Sequence, residues 1–184
     1  MKKKPAKAKN TKTKKKKVDA IPKNYPVLTP HLTVRGGAEA LEFYKKAFGA
    51  KERMRMLGPN GAIGHAELQI GPSLFMLADE YPGGGGGGVV APTTLNGTTL
   101  TLMIYVKDVD AAFARALAAG ATQSVPVQDM FYGDRMGVLK DPFGHAWMLA
   151  THIEDVTPKE MAKRSKEAME KMMAQPPPAP APTV

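Results

Sequence analysis

The sequence predicts an α+β fold made of two tandem βαβββ modules. Three observations carry this: apolar residues that switch between strand and helix periodicity, the order strand, helix, three strands read twice, and an offset of about 72 residues that lays one copy on the other.

In the first copy Leu28, Leu32 and Val34 alternate with Thr29, His31 and Thr33, which gives a strand with one apolar and one polar face. A helix follows in GGAEALEFYKKAFGA, where Ala40, Leu41, Tyr44, Ala47 and Phe48 recur at helical spacing and Gly49 supplies the stop. Three strands come next, Lys51 to Leu57, Ala62 to Ile70 and Ser73 to Ala78. The first two meet at Gly58-Pro59-Asn60-Gly61, where the Asn-Gly pair favours a tight hairpin turn.

The second copy repeats the order. Leu100 to Val106 alternates as a strand, and Val109, Ala112, Phe113, Ala116 and Leu117 form a helical stripe that ends at Gly120. Strands then fit Thr122 to Asp129, Arg135 to Lys140 and His145 to Thr151. The offset superimposes Val34 on Val106, and after one residue of slippage Gly49-Ala50 meets Gly120-Ala121.

These patterns place a domain at 26–157, with module 1 at 26–78, a Gly-rich linker at 79–98 and module 2 at 99–157. The six glycines at 83–88 lack the Lys-Ser/Thr of a phosphate loop and open no helix, so a flexible linker is expected. A C-terminal helix is expected at 158–174, opened by the capping box Thr157-Pro158-Lys159-Glu160. The Lys-rich segment 1–25 and the Pro/Ala segment 175–184 read as disordered tails.

Composition narrows the function. The chain has 184 residues, 43% of them apolar, and no cysteine, which excludes disulfides, a thiolate metal site and a cysteine nucleophile. No apolar run approaches the ~20 residues that span a bilayer, and no apolar h-region follows the first lysines, so a cytoplasmic protein without membrane contact is expected. The net charge of +9 is local: residues 1–23 hold eleven lysines and one acid, leaving fifteen bases against sixteen acids elsewhere. That segment reads either as a weak nucleic-acid or polyanion contact or as a solubilising tail.

Three motifs carry a resemblance: V-x-x-x-x-E-A-L-E-F-Y-x-x-x-F-G-A from Val34 to Ala50, Y-V-x-D-V-D-A from Tyr105 to Ala111, and D-P-F-G-H-x-W from Asp141 to Trp147. Over roughly residues 26 to 157 the chain resembles the glyoxalase/bleomycin-resistance/dioxygenase (vicinal oxygen chelate, VOC) superfamily. With G-H-A-E-L (Gly64 to Leu68) and F-Y-G-D-R (Phe131 to Arg135) it is similar to a branch often labelled glyoxalase-like or 3-demethylubiquinone methyltransferase-like. No Gly-rich strand-to-helix turn that would hold S-adenosylmethionine is present. The resemblance implies curled mixed sheets, helices on their convex faces, concave faces that together enclose a small-molecule cavity, and a homodimer.

Strand parity then assigns faces. With Leu28, Leu32 and Val34 under the helix, Thr29, His31 and Thr33 look into the cavity, as do Thr101, Met103 and Tyr105 of the second copy. His65, Glu67 and Gln69 share one strand face. The four positions where metal-dependent relatives carry His, Gln or Glu fall on Thr29, Met76, Thr101 and Met148, none a good ligand for a divalent cation, so no metal and no cofactor are expected. A rearranged metal triad of His31, His65 and Glu67 is the alternative.

Ligand-binding candidates are His31, His65, Glu67, Tyr105, Tyr132 and Arg135, with His31 and Glu67 as the candidates for catalysis. Arg135 reads equally as an anion clamp or as a surface pair beside an Asp134 turn cap. His145 belongs to a structural turn, Trp147 and Met148 have opposite parity, and His152 is read as solvated at the domain edge. Met54, Met56, Met76, Met103, Met130, Met136 and Met148 supply either an adaptable lining or core filling. Two functions remain: a metal-independent binding protein of the bleomycin-resistance type, and a metal-dependent lyase, isomerase or dioxygenase in which Glu67 or a histidine moves protons.

Overall fold

The computed structural model describes residues 18–81 and 88–174. The lysine block at 1–17, most of the glycine run and the segment 175–184 lie outside the described residues, and with them the disorder and flexibility expected there.

The first module runs β1 (His31–Val34), α1 (Gly37–Phe48), β2 (Lys51–Leu57), β3 (Ile63–Ile70) and β4 (Ser73–Asp79). A one-turn helix, α2 (Pro92–Leu95), lies in the connection, where no element was expected. The second module runs β5 (Thr101–Tyr105), α3 (Val109–Ala118), β6 (Thr122–Asp129), β7 (Asp134–Lys140) and β8 (Ala146–His152), and α4 (Pro158–Met173) follows. Each module forms a four-stranded sheet, ordered β1-β4-β3-β2 and β5-β8-β7-β6. The first strand pairs parallel to the last in each, and the other pairs are antiparallel. His31 stands opposite Met76 and Met103 opposite Met148, so the 72-residue offset holds down to the register of the parallel ladders.

Local chemistry accounts for the boundaries. Gly49 takes φ 66°, and its N–H and that of Ala50 reach the Lys45 and Tyr44 carbonyls, closing α1 in the left-handed conformation that glycine adopts without strain. Asn60 and Gly61 both have positive φ, 58° and 78°, as the Asn-Gly pair predicts for the β2–β3 turn. Asp108 caps α3 by accepting from the Ala111 N–H. Thr157 caps α4, its Oγ1 accepting from the Glu160 N–H at 3.3 Å, while the Glu160 carboxylate holds Arg164 rather than completing the box.

The first strand is shorter than its alternation suggests. It begins only after Pro30, and Leu28 is 84% exposed instead of lying under α1. Leu32 and Val34 do lie there, fully buried. Tyr25, one residue ahead of the expected boundary at 26, is hydrogen-bonded to Glu67 of the first sheet.

The modules join through their helix sides. Phe43, Tyr44, Phe48 and Phe75 of the first meet Phe143 and Trp147 of the second, with the Phe48 and Trp147 rings 4.7 Å apart, and one contiguous core spans both. Gly137 lets α3 sit tightly on β7, since a Cβ there would lie 2.7 Å from the Phe113 ring. At the centre of the join is the buried Asp141 carboxylate. It accepts from Tyr44 Oη (2.8 Å), Trp147 Nε1 (2.8 Å) and the N–H groups of Phe143 and His145 (2.9 Å each).

His145 is structural, as expected: it is buried and its Nε2 meets the Thr33 carbonyl at 3.1 Å. The two sheets are not closed on each other, so each keeps a face turned away from the helices. No helix among the described residues is long and apolar enough to cross a membrane.

Because Asp141 serves four donors from both modules, its loss leaves several buried donors unpaired. Asp141→Ala is expected to lower unfolding stability by about 3 kcal/mol, and Tyr44→Phe by about 1 kcal/mol, measured by urea denaturation.

Candidate functional site

Three of the six candidate binding residues gather on the open face of the first sheet. Pairing places His31, Met76, Glu67 and Met54 in one row across β1, β4, β3 and β2, and His65 with Met56 in the next. Alternation sends Leu32, Val34, Ala66, Leu68 and Leu77 to the helix side and these residues to the other.

Glu67 is the centre of this face, only 4% exposed. Its Oε1 accepts from the Tyr25 hydroxyl at 2.5 Å and lies 3.6 Å from His65 Nε2, while Oε2 is 3.7 Å from Arg53 Nη1. The Arg53 guanidinium covers the Tyr25 ring, 5.2 Å from its centroid. His31 stands beside His65 with ring centroids 5.9 Å apart. Burial, and then the neighbouring His65, hold the His31 imidazole below its ordinary value, so it is neutral at pH 7. The bond to Glu67 raises the Tyr25 phenol, which therefore stays protonated as a donor.

Sequence reasoning missed Tyr25 and Arg53. A bulge between Glu52 and Met54 sets two residues against Glu67 and brings Arg53 to the open face, whereas simple alternation assigns it to the helix side with Arg55.

Tyr105 and Tyr132 belong to a second cluster, on the open face of the second sheet. Asp134, expected as a turn cap, is 4% exposed at the start of β7. It accepts from Tyr105 Oη at 2.8 Å and meets His152 Nδ1 at 2.7 Å. His152 Nε2 lies 3.0 Å from Asp155 Oδ1, so this histidine is held between two carboxylates, not merely solvated. Burial and the nearby Asp134 raise the Tyr132 phenol.

Arg135 points the other way. Its guanidinium binds both oxygens of Asp110 on α3 at 2.8 Å and Asp129 at 2.8 Å, which is the surface-pair reading. Trp147 is in the core and Met148 on the open face, as parity required.

Among the described residues no methionine belongs to the contiguous core, although Met136 is buried. Met54, Met56 and Met76 lie on the first open face and Met103, Met136 and Met148 on the second, in register with its polar residues.

The arrangement does not fit a metal centre. Glu67 is occupied by a phenol and flanked by a guanidinium, and no group of three His, Asp or Glu among the described residues is placed to hold a metal ion. Met76 and Met148 carry thioethers opposite His31 and Met103, Thr101 is exposed, and Thr29 precedes β1 and donates to the Pro26 carbonyl.

The hydrogen bond to Asp134, and then that to Asp155, raise His152 above 6.5. A raised folded value means that the stabilisation is fully present below pH 6.5 and is lost as pH rises through the raised value. The melting temperature of the wild type should therefore exceed that of His152→Gln most near pH 6, and the gap should shrink steadily under alkaline conditions, as read by calorimetry across pH 5.5 to about 9.

Comparison with known proteins agrees with this architecture. Residues 27–149 match the model of the Glyoxalase/Bleomycin resistance protein/Dioxygenase superfamily. An uncharacterized protein of Mycobacterium tuberculosis is 46% identical over 136 residues, covering 74% of this chain and 80% of its own length. Among solved structures, a gene product of Arabidopsis thaliana aligns at 30% identity with a TM-score of 0.56, covering 68% of this chain and 98% of that one. A Bacillus cereus PhnB protein, provisionally labelled a 3-demethylubiquinone-9 3-methyltransferase, aligns at 20% identity and TM-score 0.54 over 68% of this chain and 99% of its own, and shows the fold alone. With matched modules, matched register and a family match over most of the folded unit, the chain belongs to the glyoxalase/bleomycin resistance protein/dioxygenase superfamily.

Proposed function

We propose that this is a cytoplasmic small-molecule-binding protein of the bleomycin-resistance/glyoxalase-like type, which works without the usual metal site. One observation carries the reading: a buried carboxylate, Glu67, is set in an open sheet face among the thioethers of Met54, Met56 and Met76, none of which belongs to the core.

Burying a carboxylate is costly unless partners meet it, and here the partners are themselves ligand-type groups. A few orienting polar side chains within an adaptable apolar surface is the pattern of a binding site. Glu67 and neutral His31 accept hydrogen bonds, His65 and Arg53 lie beside the carboxylate, and Met54, Met56 and Met76 mould to an apolar body. The second sheet carries its own cluster with Tyr105 and Tyr132, and the exposed Met103 and Tyr105 of its open face suit burial in a homodimer. The lysines of residues 1–23 add weak contact with nucleic acid or another polyanion.

A metabolite panel followed by thermal shift tests this reading. A true ligand should raise the melting temperature by roughly 5 to 10 °C at about 100 times its Kd. His31→Ala and Glu67→Gln should each remove that response while leaving the free protein's melting temperature within a few degrees. Zn, Ni, Fe and Mn should be far below one equivalent per chain. A stoichiometric metal that disappears in His31→Ala would replace this reading with a metal-dependent lyase, isomerase or dioxygenase.

A further inference from the structure

The segment ahead of β1 makes an attachment that its own packing does not explain. Val18, Ile21, Val27 and Leu28 are 83%, 56%, 90% and 84% exposed, so its apolar side chains are not used to hold it down. Asn24 takes a positive φ of 73° in a turn closed by the Tyr25 N–H and the Pro22 carbonyl. Two contacts tie the strap to the open face of the first sheet: Arg53 Nη1 donates to the Asn24 carbonyl at 3.4 Å, and the Tyr25 side chain reaches Glu67 under the Arg53 guanidinium.

Tyr25 thus occupies the polar centre of the candidate site. Its hydroxyl donates to a carboxylate that is buried with Tyr25 in place, and the Arg53 guanidinium lies over its ring, 5.2 Å from the centroid. Ahead of Pro30, whose carbonyl accepts from the Met76 N–H at 2.8 Å, a strap held by these two contacts can leave and return without disturbing the core, because none of residues 18–29 belongs to that core.

Resting on the binding reading above, we propose that Tyr25 is a tethered stand-in for the ligand: the site takes a planar aromatic alcohol, whose hydroxyl donates to Glu67 and whose ring lies against Arg53, and the strap competes for that position. A tethered competitor lowers apparent affinity by the fraction of molecules in which the site is free. The strap therefore sets a threshold, and weakly held or non-aromatic alcohols fail to displace it.

The test uses 4-methylphenol, which is the tyrosine side chain without its backbone, titrated into the full-length protein and followed by ligand-observed NMR. Tyr25→Ala should bind it about tenfold tighter than the wild type, and Tyr25→Phe, which keeps the ring but not the donated proton, should fall between them. Toluene should show no such gain, and adding Glu67→Gln to Tyr25→Ala should abolish it. Equal affinity in the wild type and Tyr25→Ala, or a gain that survives Glu67→Gln, overturns the proposal. A melting temperature within a few degrees of wild type establishes that the variants are folded, and Tyr25→Phe carries the comparison if Tyr25→Ala is not. A Tyr25→Ala protein that takes no phenol yet keeps a His31- and Glu67-dependent response to non-aromatic metabolites overturns the aromatic-alcohol assignment alone. Loss of both responses overturns the binding reading with it.

Discussion

The join between the modules, built on Asp141, is the constraint from which the rest of the arrangement follows. One carboxylate takes hydrogen bonds from Tyr44 on α1, Trp147 on β8 and two N–H groups of its own turn, and aromatic rings from both modules pack around it. Since the hydrophobic surfaces of both sheets are consumed in this shared core, their opposite faces are released from packing. Those released faces are where polar and thioether side chains can be held for a ligand. The D-P-F-G-H-x-W motif is thus architectural: it does not touch the candidate site, but it determines which way both sheets look.

Two released faces with the same strand order do not carry the same chemistry. On the first sheet the row through the centre reads His31, Met76, Glu67 and Met54. On the second the matching row reads Met103, Met148 and Val138, so an apolar residue stands where the first sheet buries its carboxylate. The second sheet's own carboxylate, Asp134, lies at the start of β7 and is taken up by Tyr105 and His152. Duplication supplied one scaffold twice, and only the first copy places a charge at its middle.

Most of the fold was legible because its signals are local. Period-two and helical patterns found the eight strands and the three longer helices to within a few residues, and Gly49, Asn60-Gly61 and Thr157 act where turn and cap chemistry says they should. Parity placed His31, His65 and Glu67 together and separated Trp147 from Met148. The exceptions share a physical cause. Leu28 has the right parity but sits before Pro30, which interrupts the strand. Arg53 changes sides through a bulge, and a bulge leaves no mark in residue type. His152 and Asp134 meet only because β7 and β8 pair in one register, a relation eighteen residues long that no local pattern encodes. Met54, Met76, Met103 and Met148 read equally well as core until the core proves to be filled by aromatic and branched side chains.

The same distinction explains why Glu67 and not Asp134 anchors the functional reading. Asp134 is satisfied by groups that belong to its own sheet and the segment just after it, so folding alone completes its environment. Glu67 receives its shortest hydrogen bond from a residue forty-two positions away, on a segment that packs little else. A buried carboxylate needs a donor, and the strands around this one supply only His65 and Arg53, each more than 3.5 Å from it, so Tyr25 both covers it and donates to it. The hydrogen bond at the centre of this face is thus supplied from outside the module's strands, and the position the strap holds is one that a ligand can take in its place.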